Sequence, residues 1–223
     1  MPQYPMPLVR VEVVLQSIVQ GQLCTLLVKR AEMPFKGAWA LPGGVIRVDL
    51  DATLDDAAAR VIEERLRIAP RGLRQLLAVG GVNREPRAPA QWGLSVVYRA
   101  LVREGGVLPV AGKRVEDWAW HSVDDLPAPG DLAFDHGNIA LQAAMWTRAE
   151  VEDLRLPPAL LPDQFTLGEL QLTCEAVLGH RLDKSSFRRK LKDRGMVAPI
   201  EGAYLSGMRN RPAALYRLAK PMP

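Results

Sequence analysis

The first half of the chain alternates short apolar runs with loops, a pattern that predicts a mixed α/β domain. The runs 8–19 (LVRVEVVLQSIV) and 23–28 (LCTLLV) predict two strands, joined by a hairpin at Gln20-Gly21-Gln22. Similar runs predict strands at 73–79, 94–102 and 115–120. A helix is predicted over about 138–151, where this first pattern ends.

An amphipathic helix is predicted after a loop that contains Gly43 and Gly44. Thr53 is the expected N-cap, and Asp56 completes a capping-box pattern. Apolar residues then recur with a period of about 3.6 residues. They form one face: Leu54, Ala57, Ala58, Val61, Ile62 and Leu66.

A proline-rich stretch at 156–162 interrupts the helical and strand patterns alike. We therefore predict a domain over 1–155, a linker over 156–162 and a second domain over 163–223. In the second domain Thr166 is the expected N-cap of a helix that ends near Gly179. Asp183 is the expected N-cap of another helix, which Gly195 ends, and two strands follow at 196–200 and 213–218.

Charge also divides the chain, within the predicted second domain. Residues 180–223 contain 11 Lys and Arg against 3 Asp and Glu, a net charge of +8, whereas residues 1–179 contain 18 against 22, a net charge of −4. A basic block on an acidic body is typical of a protein whose basic part meets a polyanion. No run of about 18 uncharged apolar residues is present, so no membrane span is predicted.

Cysteine usage indicates a reducing compartment. The chain has two cysteines, Cys24 and Cys174, which lie far apart in the sequence and within apolar patterns. This argues against a disulfide framework and predicts a cytoplasmic protein.

The order helix, turn, helix and hairpin in the basic block is typical of a winged helix-turn-helix. In the second helix Phe187 and Leu191 are four residues apart and are expected to face the core. The opposite side carries Ser185, Arg188, Arg189 and Lys192, with Lys184 and Ser186 flanking it. These residues are predicted to bind DNA in the major groove. Arg209 and Arg211 are expected at the wing tip, where they suit phosphate or minor-groove contacts.

The stretch from Gly44 to Ile68 resembles the Nudix box of diphosphate hydrolases. That pattern is a glycine, five residues, Glu, seven residues, then Arg-Glu-aliphatic-any-Glu-Glu-any-Gly-aliphatic. Glutamates three and four residues apart share one helical face and can jointly hold Mg²⁺, which activates water. The resemblance implies an α/β Nudix fold, an α/β/α sandwich with a mixed sheet.

The metal-holding positions of the box are mostly altered. With Arg60 in register, Val61 and Arg65 stand where two glutamates belong, and Arg67 replaces the terminal glycine. The loop glutamate falls at Leu50, although Asp49 or Asp51 remains open as a partial substitute. Glu64 survives as a vestige, and Arg65 would repel a cation. We therefore predict no metal site and no efficient Mg²⁺-dependent hydrolysis.

A nucleotide effector remains compatible with this fold. Stretch 34–44 (PFKGAWALPGG) matches the family's lead-in to the box, and 83–87 and 132–136 resemble pieces of Nudix domains that act on ADP-ribose. Aromatic rings can stack on a base and arginines can meet phosphates. The predicted effector-binding residues are Arg30, Phe35, Trp39, Arg47, Arg84 and Arg87. Phe35 and Trp39 are equally compatible with a core role, and His136 is interpreted as a hydrogen-bonding residue at a helix start.

The two parts together resemble the Nudix-related transcriptional regulators of the NrtR type. The resemblance is strongest in the lead-in to the box and in 165–218. It implies a homodimeric repressor, commonly of NAD biosynthesis genes, that binds a palindromic operator. It also implies that ADP-ribose or a related nucleotide is sensed by a weak or inactive Nudix domain, with no cofactor required. The alternative is a Nudix hydrolase of ADP-ribose or another nucleoside diphosphate derivative with a basic appendage.

Overall fold

The computed structural model describes residues 6–69, 72–82, 84, 92–105, 108–205 and 212–219. The chain forms two compact units, one of Met1–Ser17 with Cys24–Met145 and one of Ile18–Leu23 with Trp146–Pro223. The predicted ranges 1–155, 156–162 and 163–223 stay a prediction. No helix among the described residues is long and apolar enough to cross a membrane.

A seven-stranded mixed sheet forms the body of the first unit. Strands β1 and β6 run parallel, and the other pairs given for this sheet are antiparallel. The strand order is β3-β2-β1-β6-β5, while β4 pairs with β1 and β7 with β2. The strands are β1 (Leu8–Val19), β2 (Gln22–Arg30), β3 (Trp39–Ala40), β4 (Gly43–Val45), β5 (Arg74–Val82), β6 (Trp92–Leu101) and β7 (Val115–Ser122).

The hairpin between β1 and β2 confirms the turn predicted at Gln20 and Gly21. Both residues have a positive φ, 50° and 77°. A two-residue turn of this kind matches the twist of paired strands, and glycine adopts it without steric cost. The short strands β3 and β4 lie inside the segment expected to be a loop, so that expectation was wrong there.

Helix α1 (Leu54–Leu66) confirms the predicted caps. The Thr53 hydroxyl accepts a hydrogen bond from the Asp56 N–H, and the Asp56 carboxylate accepts one from the Thr53 N–H. The predicted apolar face is buried with one exception: Leu54, in the first turn, is 37% exposed. The first turn lies at the edge of the packed surface, so the helical period alone wrongly predicted that Leu54 is buried.

Side chains alternate between the two faces of the sheet, and a helix covers each face. Val11, Val13 and Leu15 pack with α1, whereas Val14 packs with the second helix, α2 (His136–Glu152). The period of two along β1 therefore separates two cores. This layering confirms the predicted α/β/α sandwich with a mixed sheet.

The second unit has the predicted order of helix, turn, helix and hairpin. It contains β8 (Phe165–Thr166), α3 (Leu167–Leu178), α4 (Lys184–Asp193), β9 (Val197–Leu205) and β10 (Ala213–Leu218). The strands form a three-stranded antiparallel sheet in the order β8-β10-β9. Thr166 caps α3 and Gly179 ends it in the left-handed conformation, as predicted. This is the layout of a winged helix.

Candidate functional site

A cleft of about 310 Å³ opens in the first unit beside β4 and the end of α1. Its lining is strongly basic, with two acidic residues, Glu32 and Glu64. The basic lining residues are Arg10, Arg30, Arg47, Arg60, Arg65, Lys113 and Arg114. Such an excess of cations favours an anionic ligand.

Two glycines form the floor of the cleft because no side chain fits there. A Cβ on Gly43 would lie 1.6 Å from Oε2 of Glu12, inside that carboxylate. A Cβ on Gly44 would lie 2.9 Å from Cγ2 of Val61, tighter than real contacts. The close approach of β4 to β1 and to α1 therefore requires both glycines.

Arg60 on α1 binds the nearby carboxylates. Its Nε and Nη2 donate to the two oxygens of Asp51 at 2.6 and 2.7 Å, and its Nη1 lies 3.5 Å from Oε2 of Glu64. The hydrogen bond from Arg60 holds the pKa of Asp51 below its usual value. Both carboxylates on this side of the cleft therefore have a guanidinium partner.

Arg65, one turn further along α1, is held by backbone carbonyls. Its Nε donates to the carbonyl of Gly43 at 3.0 Å, and its Nη1 donates to the carbonyl of Lys113 at 2.7 Å. Burial lowers the pKa of Arg65, but a guanidinium in a protein stays protonated. The cleft thus contains a fixed positive charge at its wall.

The residues present do not fit a divalent metal ion. Arg65 and the buried Val61 occupy two glutamate positions, and Arg60 binds both Asp51 and Glu64. Asp49 pairs with Arg47 at the surface. No group of three or more His, Cys, Asp or Glu side chains in the described part of the chain is arranged to hold a metal.

Two of the predicted effector-binding residues, Arg30 and Arg47, line the cleft. Arg30 donates from Nε to the carbonyl of Pro34 at 2.7 Å, and its guanidinium carbon lies 5.3 Å from the centre of the Phe134 ring. Arg47 is half exposed and pairs with Asp49. Both stay predictions as ligand contacts.

Three other predicted effector residues, Phe35, Trp39 and Arg84, lie outside the cleft lining. Phe35 is 40% exposed and packs on the Phe134 ring, 4.7 Å between centres, so it is not a core residue. Trp39 is half-buried, and its ring meets the edge of His121. Arg84 makes a bidentate ion pair with Asp135. Arg87 lies outside the described residues.

A buried polar cluster lies beneath the cleft. His136 begins α2, and its Nδ1 accepts a hydrogen bond from the N–H of Leu41 at 2.9 Å, which confirms its predicted structural role. Glu12 is fully buried, receives a hydrogen bond from Arg10 at 2.9 Å, and lies 3.7 Å from Nε2 of His136. Burial by itself would raise the pKa of Glu12, but Arg10 and His136 lower it to about 2.

Sequence reasoning missed several cleft residues. Arg10 comes from near the start of the apolar strand β1, and the pair Lys113-Arg114 comes from the loop before β7. A basic pair next to a glycine, before a strand, was a usable signal. Arg65 was noted only as a group that repels a metal, not as part of a binding surface.

The exposed side of α4 is the candidate nucleic-acid interface. Phe187 and Leu191 are buried, as predicted. Five of the six predicted DNA-binding residues on this helix are exposed, and Ser186 is half-buried: Lys184, Ser185, Ser186, Arg188, Arg189 and Lys192. The predicted wing residues Arg209 and Arg211 lie outside the described residues.

A buried carboxylate fixes the turn between α3 and α4. Glu175 accepts hydrogen bonds from the N–H of Leu182 at 3.0 Å, from Gln171 at 2.8 Å and from Arg181 at 2.8 Å. The bond from Leu182 is the main reason that the pKa of Glu175 is lowered. Sequence reasoning missed this network, although a glutamate within an apolar helix face was its signal.

Comparison with known protein families matches both units. Residues 8–142 match the NUDIX domain, and residues 157–218 match the NrtR DNA-binding winged helix domain. The chain is 36% identical over 216 residues to the ADPR responsive transcriptional repressor NtrR of Acinetobacter baylyi. This match spans 97% of the chain and 84% of that relative.

Solved structures give the same picture. A crystal structure of Shewanella oneidensis NrtR complexed with a 27mer DNA is 32% identical, with a TM-score of 0.73, over 95% of this chain and 93% of that one. A cocrystal structure of the NUDIX domain of Shewanella oneidensis NrtR complexed with ADP ribose is 31% identical. It has a TM-score of 0.57 over 64% of this chain and 90% of that one.

Proposed function

The chain belongs to the NrtR family, in which a Nudix domain precedes a DNA-binding winged helix, and on that premise we propose that it is an ADP-ribose-responsive transcriptional repressor. The winged helix binds operator DNA, and the Nudix cleft binds the nucleotide. NAD biosynthesis or salvage genes are the proposed targets. A repressor of this kind works where the genome is, in the cytoplasm.

The exposed basic face of α4 is the observation that carries the DNA-binding function. Arg188, Arg189 and Lys192 project from a helix whose other side is buried in the winged-helix core. A recognition helix needs this division, because one side must pack while the other meets bases and phosphates. Lys184, Ser185 and Ser186 lie at the helix start, where a recognition helix contacts base edges.

The basic cleft supports a nucleotide effector. ADP-ribose carries a diphosphate with two negative charges, and the cleft presents seven basic side chains against two acidic ones. Arg30 and Arg47 are the predicted residues best placed to meet that diphosphate. Phe35, Trp39 and Arg84, which lie outside the cleft lining, are kept as predicted contacts, and so is Arg87 from outside the described residues.

We further propose that the Nudix domain does not hydrolyse its ligand. Glu64 is the surviving glutamate of the box, and its Oε2 lies 3.5 Å from Nη1 of Arg60. The test is AMP release from ADP-ribose in a large excess of Mg²⁺, because a Nudix site binds this ion weakly through a few carboxylates and the substrate phosphates. Turnover that Glu64→Gln abolishes would restore the hydrolase alternative.

The proposed regulation requires a homodimer on a palindromic operator. Two recognition helices related by a twofold axis match two half-sites about one helical turn apart. Exposed Leu141 and Met145, one turn apart on α2, offer an apolar surface that supports self-association. Ligand binding that favours a different dimer geometry would release DNA.

Gel-shift titration with the full chain tests this function. DNA from upstream of its own gene and of NAD synthesis genes is expected to bind, and micromolar ADP-ribose is expected to release it. Binding should weaken steeply as salt rises, because each neutralised phosphate releases counterions. DNA binding that ignores both salt and ADP-ribose would contradict the proposal.

A further inference from the structure

The end of α1 holds a guanidinium where the Nudix box holds a metal ligand. Arg65 is fixed at Nε and Nη1 by the carbonyls of Gly43 and Lys113. These carbonyls are neutral, so they orient the guanidinium and leave its positive charge uncancelled. A carboxylate partner would cancel that charge. Its Nη2 lies beside Gly44, 3.9 Å from where a Cβ on that glycine would be, and both residues line the cleft.

The loop before β7 is fastened to the same helix end. The N–H groups of Val110, Gly112 and Lys113 donate to the last carbonyls of α1 at 2.8, 2.9 and 2.8 Å. These are carbonyls that a helix end leaves without an internal partner. The loop is therefore fixed in place, and with it the carbonyl that holds Arg65.

Charge balance around Arg65 leaves a surplus of positive charge. Asp51 and Glu64 are both engaged by Arg60. Arg114 lies close enough to lower the pKa of Arg65 further, after the larger effect of burial. Cations crowded in this way gain stability when an anion enters between them.

We infer that Arg65 takes the place of the divalent metal and binds the diphosphate of the effector directly. The inference rests on the proposed function and names the part of the cleft that holds the diphosphate. A guanidinium offers a planar fork of donors to phosphate oxygens, which suits direct binding without a bridging ion. Effector binding by this chain is then independent of Mg²⁺.

Isothermal titration of the full chain tests the inference with two probes, ADP-ribose and inorganic pyrophosphate. Each is titrated in EDTA and again in excess Mg²⁺, into the wild type, Arg65→Gln, Arg65→Lys and the control Arg67→Gln. Arg67 is an exposed arginine at the end of the same helix, outside the cleft. Thermal unfolding and operator binding of each variant establish that it is folded.

For ADP-ribose, equal affinity in EDTA and Mg²⁺ is expected for the wild type and for Arg67→Gln. Pyrophosphate affinities are compared among the proteins in EDTA, because Mg²⁺ itself complexes free pyrophosphate. Arg65→Gln loses the charge-assisted hydrogen bonds from the guanidinium to the diphosphate. We expect it to bind both probes about ten- to a hundredfold more weakly. Arg65→Lys keeps the charge but loses the fork, so an intermediate affinity is expected, and it carries the test if Arg65→Gln is unstable.

The outcomes separate this inference from the proposed function. ADP-ribose binding that needs Mg²⁺, or that is unchanged in both Arg65 variants, overturns the inference and leaves the effector assignment intact. Pyrophosphate binding that depends on Arg65 without any ADP-ribose binding supports the inference and overturns the effector assignment. Absence of binding by both probes overturns both.

Discussion

Helices α1 and α4 both carry several arginines, but they use them in opposite ways. Arg60 and Arg65 of α1 are directed at a carboxylate and at carbonyls of the same unit. Arg188 and Arg189 of α4 are exposed. An enclosed small anion needs cations that are fixed before it arrives, which saves ordering cost on binding. A long polyanion is met by side chains that stay in solvent and adapt to it.

This comparison predicts that the exposed charges on α4 matter for DNA binding and that the Arg60–Asp51 pair at α1 matters for stability. The double variant Arg188→Ala/Arg189→Ala is the largest test. We expect a roughly hundredfold loss of operator affinity, from about 1–2 kcal/mol for each contact. Fluorescence anisotropy at one fixed salt concentration measures it.

Thermal unfolding of the double variant should be unchanged, since exposed substitutions rarely affect stability. Arg103→Ala, another exposed arginine, is the control on the first unit and should leave DNA affinity as it was. If Arg103→Ala lost as much operator affinity as the double variant, α4 would have no special role in DNA binding.

The converse test removes the partner of Arg60. In Asp51→Ala the Arg60 guanidinium, whose side chain is 16% exposed, loses both of its strongest hydrogen bonds. We expect the free energy of unfolding to fall by about 2–3 kcal/mol in urea titrations. Asp49→Ala is the matched control, because that exposed carboxylate pairs with Arg47 at the surface, and no measurable change is expected.

The stabilisation by Asp51 also has a predictable pH dependence. Its pKa is lowered in the folded state, so the stabilisation is complete above the unfolded value of about 3.9 and is lost as the pH falls through the folded pKa. The difference between wild type and Asp51→Ala should therefore shrink below about pH 4. A difference that grows on acidification would contradict this assignment.

Glu175 extends the comparison of paired and exposed charges, because it is a buried, paired charge within the DNA-binding unit. Glu175→Gln weakens the bonds from Leu182 and Arg181, and we expect a loss of about 1 kcal/mol of stability. Since these bonds set the turn before α4, operator affinity should fall as well. The pKa of Glu175 is lowered on folding, so its contribution should fade as the pH drops below about 4.3. A stability loss with unchanged DNA affinity would show that the turn does not position α4.

Arg67 gives the smallest expected effect, and of opposite sign. It ends α1 with φ 56° and ψ 34°, a left-handed conformation that favours glycine. Arg67→Gly should therefore raise the free energy of unfolding by about 0.5–1 kcal/mol. Arg67→Ala, which keeps a Cβ, should show no such gain, and equal gains in both variants would refute the backbone explanation.

Local signals in the sequence predicted most of the fold and one of the two surfaces. The caps at Thr53 and Thr166 and the turn at Gly21 depend on neighbouring residues alone, so they were predictable. The same holds for α4, where the buried and exposed faces follow from the helical period. Leu54 is exposed although the helical period predicted its burial, because burial at a helix end depends on which other elements pack there.

The cleft was harder to predict because its residues come from distant segments. Arg10, Arg65 and Lys113 meet only through the register of the sheet and the loop that closes on α1. The residues of the box showed that a metal ligand was missing. They did not show that carbonyls of Gly43 and Lys113 would orient the arginine that replaced it.

The contact between the loop and α1 also limits how this protein can change. A Cβ on Gly112 would lie 2.2 Å from the carbonyl oxygen of Glu64, so any other residue there would push the loop off the helix. The substitution would act at a distance, because Lys113 and Arg114 would move with the loop. Mutational scanning of the cleft should therefore find Gly112, which has no side chain to offer a ligand, among its least tolerant positions.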